Sequence, residues 1–383
     1  MQVVSPVLKR VVYPSLARLG YLGAVERSGL AVVTYHGVLP AGYKRIDPAF
    51  DGNLITEDAF RRQLQVLKNQ YTIISPTEMM QWCKGELELP ARAVLLTCDD
   101  GHLNNITEML PILHEEDLQC LFFVTGASAG ERRTMLWHEE LLLMLLRAPA
   151  GRFCIDAESF VLRGELGEVR QRRLVWWNAV KQLSVMEAGS RARFLLAAHA
   201  CFGLERSLDY FLIHHPAFER SYCLMTRTEV RDLADAGMTI GAHSLTHAVL
   251  TDMPAGSAWE EIVGSQAVLE SAIGRAIWAF AYPYGGYDTV SAEMVAMAGR
   301  AGFLAAFVNV GGGLGGALPQ LAIPRVHVNS GMGLGEFQAH VSGFYNVLQR
   351  SFGRCGPPFL VPSQDPSAII LPQEVPISTA RSA

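Results

Sequence analysis

The sequence predicts a deformed (β/α) barrel of about seven strands, interrupted by a helical insertion. Three observations predict it: short apolar runs recur along the chain, amphipathic segments separate most of them, and one long stretch breaks the alternation. Strand alternating with helix this often argues for a parallel sheet, and the number of repeats favours a closed or nearly closed barrel. At 383 residues, half of them hydrophobic, the chain has enough apolar surface to bury a large core.

Residues 1–29 (MQVVSPVLKRVVYPSLARLGYLG and its continuation) are predicted to be an N-terminal helical segment. Lys9, Arg10, Pro14 and Arg18 interrupt its apolar residues, so it lacks the unbroken core of a signal peptide. Docking of this helix on the barrel is the first expectation; an amphipathic helix lying on a membrane surface is the second. The barrel is expected over residues 30–345. Its strands are LAVVTY from Leu30, YTIIS from Tyr71, AVLLTC from Ala93, CLFFVTG from Cys120, MTIGA from Met238, IWAFAY from Ile277, LAAFVNV from Leu304 and LAIPRVHV from Leu321. Between them, TEDAFRRQLQVLKNQ, TRTEVRDLADAG, AWEEIVGSQAVLESAIG and TVSAEMVAMAGRAG place apolar residues at three-to-four spacing, as amphipathic helices do. Thr226 with Glu229 three positions on is a helix-start signal. The uncharged run from Ala301 to Pro324 contains GGGLGG and Pro319, and reads as strand, loop, strand rather than a membrane span.

The alternation fails over about residues 131–222, where LWHEELLLMLLRAP and RRLVWWNAVKQL suggest a helix-rich insertion with Trp176 and Trp177 in its core. From residue 346 to 383 the chain becomes Pro- and Ser-rich without periodicity, the composition of a tail with little regular structure.

Thirty-two basic and 37 acidic residues give a net charge of −5 without long like-charge blocks, which is no footprint for nucleic acid. Seven scattered cysteines, with no C-x-x-C pair, fit a reducing compartment. The expected location is therefore cytoplasmic, with peripheral contact at the inner membrane face as the second reading of the N-terminal helix.

The chemistry gathers at strand ends. Asp99 and Asp100 close the buried run AVLLTC and precede Gly101; His243 and His247 follow MTIGA at a spacing that can bring two imidazoles to one metal. Tyr284 ends IWAFAY and His327 ends LAIPRVHV. In a β/α barrel, catalytic residues collect at the C-terminal ends of the strands. Two histidines and one carboxylate with an open position make a catalytic metal site, and the second carboxylate is left over as a base. The metal expected is Zn²⁺, with Co²⁺ or Ni²⁺ also compatible with such ligands. His36, at the end of the first strand, can reach substrate, and so can His102. Tyr284 and Tyr287 offer faces on which a sugar ring can stack.

On these residues the chain resembles the polysaccharide deacetylases of carbohydrate esterase family 4. TCDDG is similar to the family's T-F-D-D-G, HSLTH to H-S/T-x-x-H, YPYG to R-x-P-Y-G, and RVHV to its last histidine motif. The resemblance implies that Asp99 is the general base and that Asp100, His243 and His247 bind the metal. It further implies that His327 is the general acid and that the Tyr284 backbone N–H stabilises the oxyanion. The implied activity is metal-dependent removal of an N-acetyl group from a sugar of a polysaccharide or glycolipid precursor, releasing acetate. Two alternatives stand beside it: a catalytically silent carbohydrate-binding barrel, and an O-acetyl esterase.

Two departures matter. Cys98 replaces the motif's Phe, and is expected to be a buried, inert thiol. Ala281 stands where the family carries an Arg that orients the base, and the aspartate–tryptophan motif that holds that Arg is not recognisable around FVNVGGG. Arg325, two residues before His327 and so on the same strand face, is the expected substitute; Asn309 is expected to replace part of the lost motif.

Overall fold

The structure is a computed structural model and describes residues 6–24, 29–157, 160–202, 208–310 and 319–351. The expected glycine-rich loop at 311–318 lies outside the described residues, as does the tail from 352; the first residues expected in that tail, 346–351, instead belong to helix Phe344–Ser351.

Eight strands build a parallel sheet: β1 Ala31–Tyr35, β2 Thr72–Ile74, β3 Ala93–Cys98, β4 Leu121–Val124, β5 Thr239–Ala242, β6 Ala279–Ala281, β7 Ala305–Val308, and β8 in two halves, Ile323–Pro324 and Val326–His327. Each corresponds to one of the eight apolar runs. The first half of β8 pairs with β7 (Phe307 opposite Ile323) and the second with β1 (Thr34 opposite His327). The strand that carries Arg325 and His327 thus closes the ring. β2 pairs only with the first part of β3, outside the ring that continues through β4.

β1, β3, β4 and β7 read as unbroken apolar runs because both faces are buried; β2, at the outside, leaves Thr72 exposed. In β3, Ala93 and Leu95 face one cluster while Val94, Leu96 and Cys98 face another. The first cluster is the barrel interior: Phe123 of β4 and Phe307 of β7, strands separated by β5 and β6, meet there with ring centroids 5.2 Å apart. Small residues, Ala279, Ala281 and Ala305, make room for them. The second cluster lies between the strands and the surrounding helices. Helix Glu57–Gln70 buries Phe60, Leu64 and Leu67 there, and the Thr56 hydroxyl caps its start by accepting from the Ala59 N–H. Helix Arg227–Asp235 begins with the expected box: Thr226 and Glu229 cap each other's backbone.

Between β4 and β5 the chain forms helices Trp137–Arg147, Val169–Leu183, Ala188–Cys201, Leu208–His214 and Pro216–Tyr222. It also forms an antiparallel hairpin, Gly151–Asp156 with Val161–Leu166, which the sequence reading did not predict. Only Ile155, Leu162 and Leu166 of those twelve residues are buried, so period-two alternation is diluted by exposed Arg, Cys and Glu. This segment has a core of its own, in which Leu141, Leu145, Leu166, Val180, Leu183 and Phe194 meet. The N-terminal helices pack by Tyr13 and Leu22 against Ala339 of helix Leu334–Val341, and Lys9 pairs with Glu336 at 2.8 Å. No helix among the described residues is long and apolar enough to cross a membrane.

Candidate active site

Strand parity brings the charged residues to the mouth of the barrel. Ala93 and Leu95 point inward from β3, and the same alternation turns Asp99 inward; in β8 it does so for Arg325 and His327 after Ile323. Arg325 donates from Nη1 to Asp99 Oδ1 and from Nη2 to Asp99 Oδ2, each at 2.7 Å, with both side chains fully buried. Its guanidinium also lies over the Phe123 ring, 5.4 Å from the centroid. Burial alone would push the Asp99 carboxyl up; the Arg325 guanidinium, with His243 and His36 nearby, outweighs burial and holds it below its ordinary range. Ala281 is an interior residue, so the clamp arrives from β8 where the family's motif sends it from β6.

Asp100, His243 and His247 present one ligand atom each, all within 4.8 Å of one another and all buried. Asp100 Oδ1 is 3.5 Å from His243 Nε2 and 3.3 Å from His247 Nε2. His243 Nδ1 stands 2.7 Å from the Ala281 carbonyl, which can only accept, so Nδ1 carries a proton and Nε2 is the atom turned to Asp100. This donor set, two imidazole nitrogens and a carboxylate with an outer hydrogen bond fixing the tautomer, fits a divalent metal. The turns that hold it are strained. Asp100, His247 and Tyr284 have φ of 80°, 57° and 61°, a left-handed conformation that costs non-glycine residues about 1–3 kcal/mol each and clusters at functional sites. Gly101 follows at φ +84°, where an added Cβ would stand 2.9 Å from Val124 Cγ1. At Gly285 it would stand 2.6 Å from the Asn309 nitrogen, whose N–H donates to the Gly285 carbonyl at 2.8 Å. Asn309 thus braces the Tyr284 turn.

A cavity of about 300 Å³ joins these groups. Asp99, Asp100, His243, His247, Tyr284, Asn309, His327 and His36 all line it. His36 meets His327 edge to face at 4.9 Å, and burial, with His36 adding to it, pushes His327 down to about 3. Tyr287 is not brought to the site: it is 44% exposed and outside the cavity wall. Cys98 points away from the interior, its thiol 3.6 Å from the Met109 sulfur.

The opposite wall comes from residues that sequence reasoning missed or assigned elsewhere. Trp176 and Trp177, expected in a core, line the cavity, and Trp177 is 45% exposed. His138 and Glu139 also line it, from helix Trp137–Arg147. His138 Nε2 is 3.2 Å from His247 Nδ1, and Glu139 Oε2 is 3.1 Å from His102 Nε2. Burial would lower His102, but the Glu139 carboxylate outweighs it and raises the imidazole to about 9. The available signal was HEE opening an otherwise apolar helix, WHEELLLMLL, although nothing in it named a partner.

Comparison with known proteins agrees with this architecture. Residues 208–303 match the family model described as polysaccharide deacetylase. No curated protein matches the sequence. Among solved structures, IcaB from Ammonifex degensii superposes with a TM-score of 0.51 at 17% identity, over 83% of this chain and 98% of that one. The Streptococcus pyogenes deacetylase PplD in complex with acetate follows with 0.49 at 17%, over 82% and 99%. The likeness that TCDDG, HSLTH, YPYG and RVHV carry is therefore not confined to short motifs: this chain resembles the polysaccharide deacetylases in the sequence of residues 208–303 and in the fold of its barrel.

Proposed function

We propose that this protein is a metal-dependent hydrolase that removes the N-acetyl group from an N-acetylated sugar of a polysaccharide or glycolipid precursor. The observation that carries the reading is one cavity at the barrel mouth holding a carboxylate clamped by Arg325 beside a second carboxylate and two histidines that can share a cation. Asp100, His243 and His247 would hold the ion, Zn²⁺ by default, and Co²⁺ or Ni²⁺ suit the same donors. A divalent ion supplies Lewis-acid chemistry, polarising the acetyl carbonyl and acidifying water.

Every other part is played by the chain. Asp99, held ionised and in one orientation by the guanidinium fork, takes a proton from the attacking water. The Tyr284 backbone N–H donates to the oxygen on which charge develops. His327 protonates the amine nitrogen as the carbon–nitrogen bond breaks, so acetate and a free amino sugar leave. Burial holds His327 neutral at rest, so the proton that it delivers is one gained within the cycle. His36 and the Tyr284 ring border the substrate. The six described cysteines are free thiols, which suits a reducing, cytoplasmic setting; the N-terminal helices dock on the barrel, and the exposed Val7, Val11, Leu19 and Tyr21 would supply a peripheral contact to an inner membrane face.

Acetate release from N-acetylhexosamine polymers, lipid-linked sugars and nucleotide sugars, with and without chelator, tests the reading. Chelator-sensitive release is expected. Binding of the saccharides without release would instead make the barrel a silent carbohydrate-binding module, and release from O-acetyl substrates only would make it an esterase.

A further inference from the structure

Helix Trp137–Arg147, in the segment between β4 and β5, reaches a ring of the proposed metal centre through His138. His247 offers Nε2 to the shared position near Asp100 and turns Nδ1 to His138 Nε2, 3.2 Å away. An imidazole that ligates through Nε2 must carry its proton on Nδ1, and that proton needs an acceptor. For His243 the acceptor is the Ala281 carbonyl, within the barrel. For His247 the group standing there is a side chain from helix Trp137–Arg147. His138 is itself held: Trp176 Nε1–H donates to its carbonyl oxygen at 2.7 Å. The same segment grips the loop of His247 a second time, since Arg191 donates to the Thr246 hydroxyl, and Thr246 is fixed on its other side by Glu261, whose Oε2 accepts from the Thr246 N–H at 2.8 Å.

We infer that His138 is a positioning residue for the metal, accepting the Nδ1 proton of His247 and so fixing which nitrogen of that ring is free to ligate. The inference rests on the metal site proposed above and adds that the site is completed from outside the barrel. Without a metal the same two rings can hydrogen-bond the other way, with His247 donating from Nε2 to Asp100 and His138 donating to His247 Nδ1. Loading a cation reverses both protons, and only a neighbour that can both donate and accept permits this. A backbone carbonyl could not.

The test is Zn²⁺ affinity of the full chain, by competition with a chromophoric chelator. His138→Leu, which keeps bulk without an acceptor, should weaken binding about 10- to 100-fold, the usual cost of losing an outer-shell partner. His138→Gln places an amide oxygen near the position of Nε2 and should bind within a few-fold of the parent; His138→Asn stops short and should resemble the Leu variant. Should the Leu variant fail to fold, Gln against Asn carries the comparison alone. Equal Zn²⁺ affinity of the parent, Gln and Asn proteins overturns the inference while leaving the metal site standing. A parent protein that binds no Zn²⁺, or binds it no better than Asp100→Ala, overturns the site and the inference together. Nitrogen NMR of the Zn²⁺-loaded parent should find His247 protonated at Nδ1; a proton at Nε2 is incompatible with the assignment.

Discussion

A buried carboxylate and a buried guanidinium stabilise each other only as a pair. Asp99 and Arg325 are joined by two parallel hydrogen bonds of 2.7 Å with no exposed side-chain surface, so removing either leaves the other charged in a medium that solvates it poorly. Arg325→Ala is expected to lower unfolding free energy by about 3–5 kcal/mol, read by denaturant titration. A loss under about 1 kcal/mol would mean that water enters the site and solvates Asp99. Arg325→Lys keeps the charge and loses the fork, so it should bind metal normally and turn over slowly. Asp99→Asn keeps the shape and a hydrogen-bond acceptor but cannot take a proton. It should lose about 10²- to 10⁴-fold in acetate release with metal content unchanged, checked by elemental analysis beside the assay. Loss of metal in that variant would instead assign Asp99 to the ligand set. The Asp99 to Arg325 approach was legible in the sequence because residues two apart on a strand share a face, and His327 marked that face. His138 was not legible, since its partner lies 109 positions away and no local period links a helix to a loop across the cavity.

Elements were legible in proportion to how fully they are buried. Strands such as β1, β3, β4 and β7 stood out because both faces are buried, whereas hairpin 151–166 buries three side chains and reads as polar coil. The capping box at Thr226 could be read from two residues, because its chemistry is local. Helix Leu334–Val341 carries an element-scale prediction. His340 is largely buried against the Tyr345 ring, 4.0 Å between centroids, and burial, with Lys9 adding to it, pushes its pKa from 6.5 down to about 4. A histidine with a lowered folded pKa takes up protons more readily when unfolded. The stability it permits is present above pH 6.5 and is lost as pH falls toward 4. Between pH 7 and pH 5 the loss from this residue should be about 2 kcal/mol. His340→Gln should flatten that part of the stability profile, measured by urea unfolding at both pH values. An unchanged slope would mean that the end of the helix opens and hydrates the ring before global unfolding.

At the scale of the whole molecule, the site is shared between the barrel and a second core, joined by a smaller cluster in which Leu142, Leu143 and Tyr222 pack with Leu39, Phe50 and Leu54. The barrel core spans β1 to β8 and their helices; the second, with Leu141, Leu145, Val180 and Phe194, belongs to the chain between β4 and β5. β3 and β4 are buried on both faces and hydrogen-bonded to neighbours on both edges. The hairpin Gly151–Asp156 and Val161–Leu166 is a two-stranded sheet with exposed edges, so its amides should exchange through smaller openings. Hydrogen exchange at rising denaturant is expected to give the hairpin a lower opening free energy than β3 and β4, and a merged value would mean that the two cores unfold as one. The proposed metal ligands all follow barrel strands, yet His138 touches His247 from helix Trp137–Arg147. A ligand stabilises the elements that must be ordered to bind it. Adding Zn²⁺ should therefore slow exchange in residues 137–147 as well as around Asp100 and His247, while the hairpin stays unchanged. Protection confined to the barrel loops would show that the second core stands beside the metal centre without forming part of it.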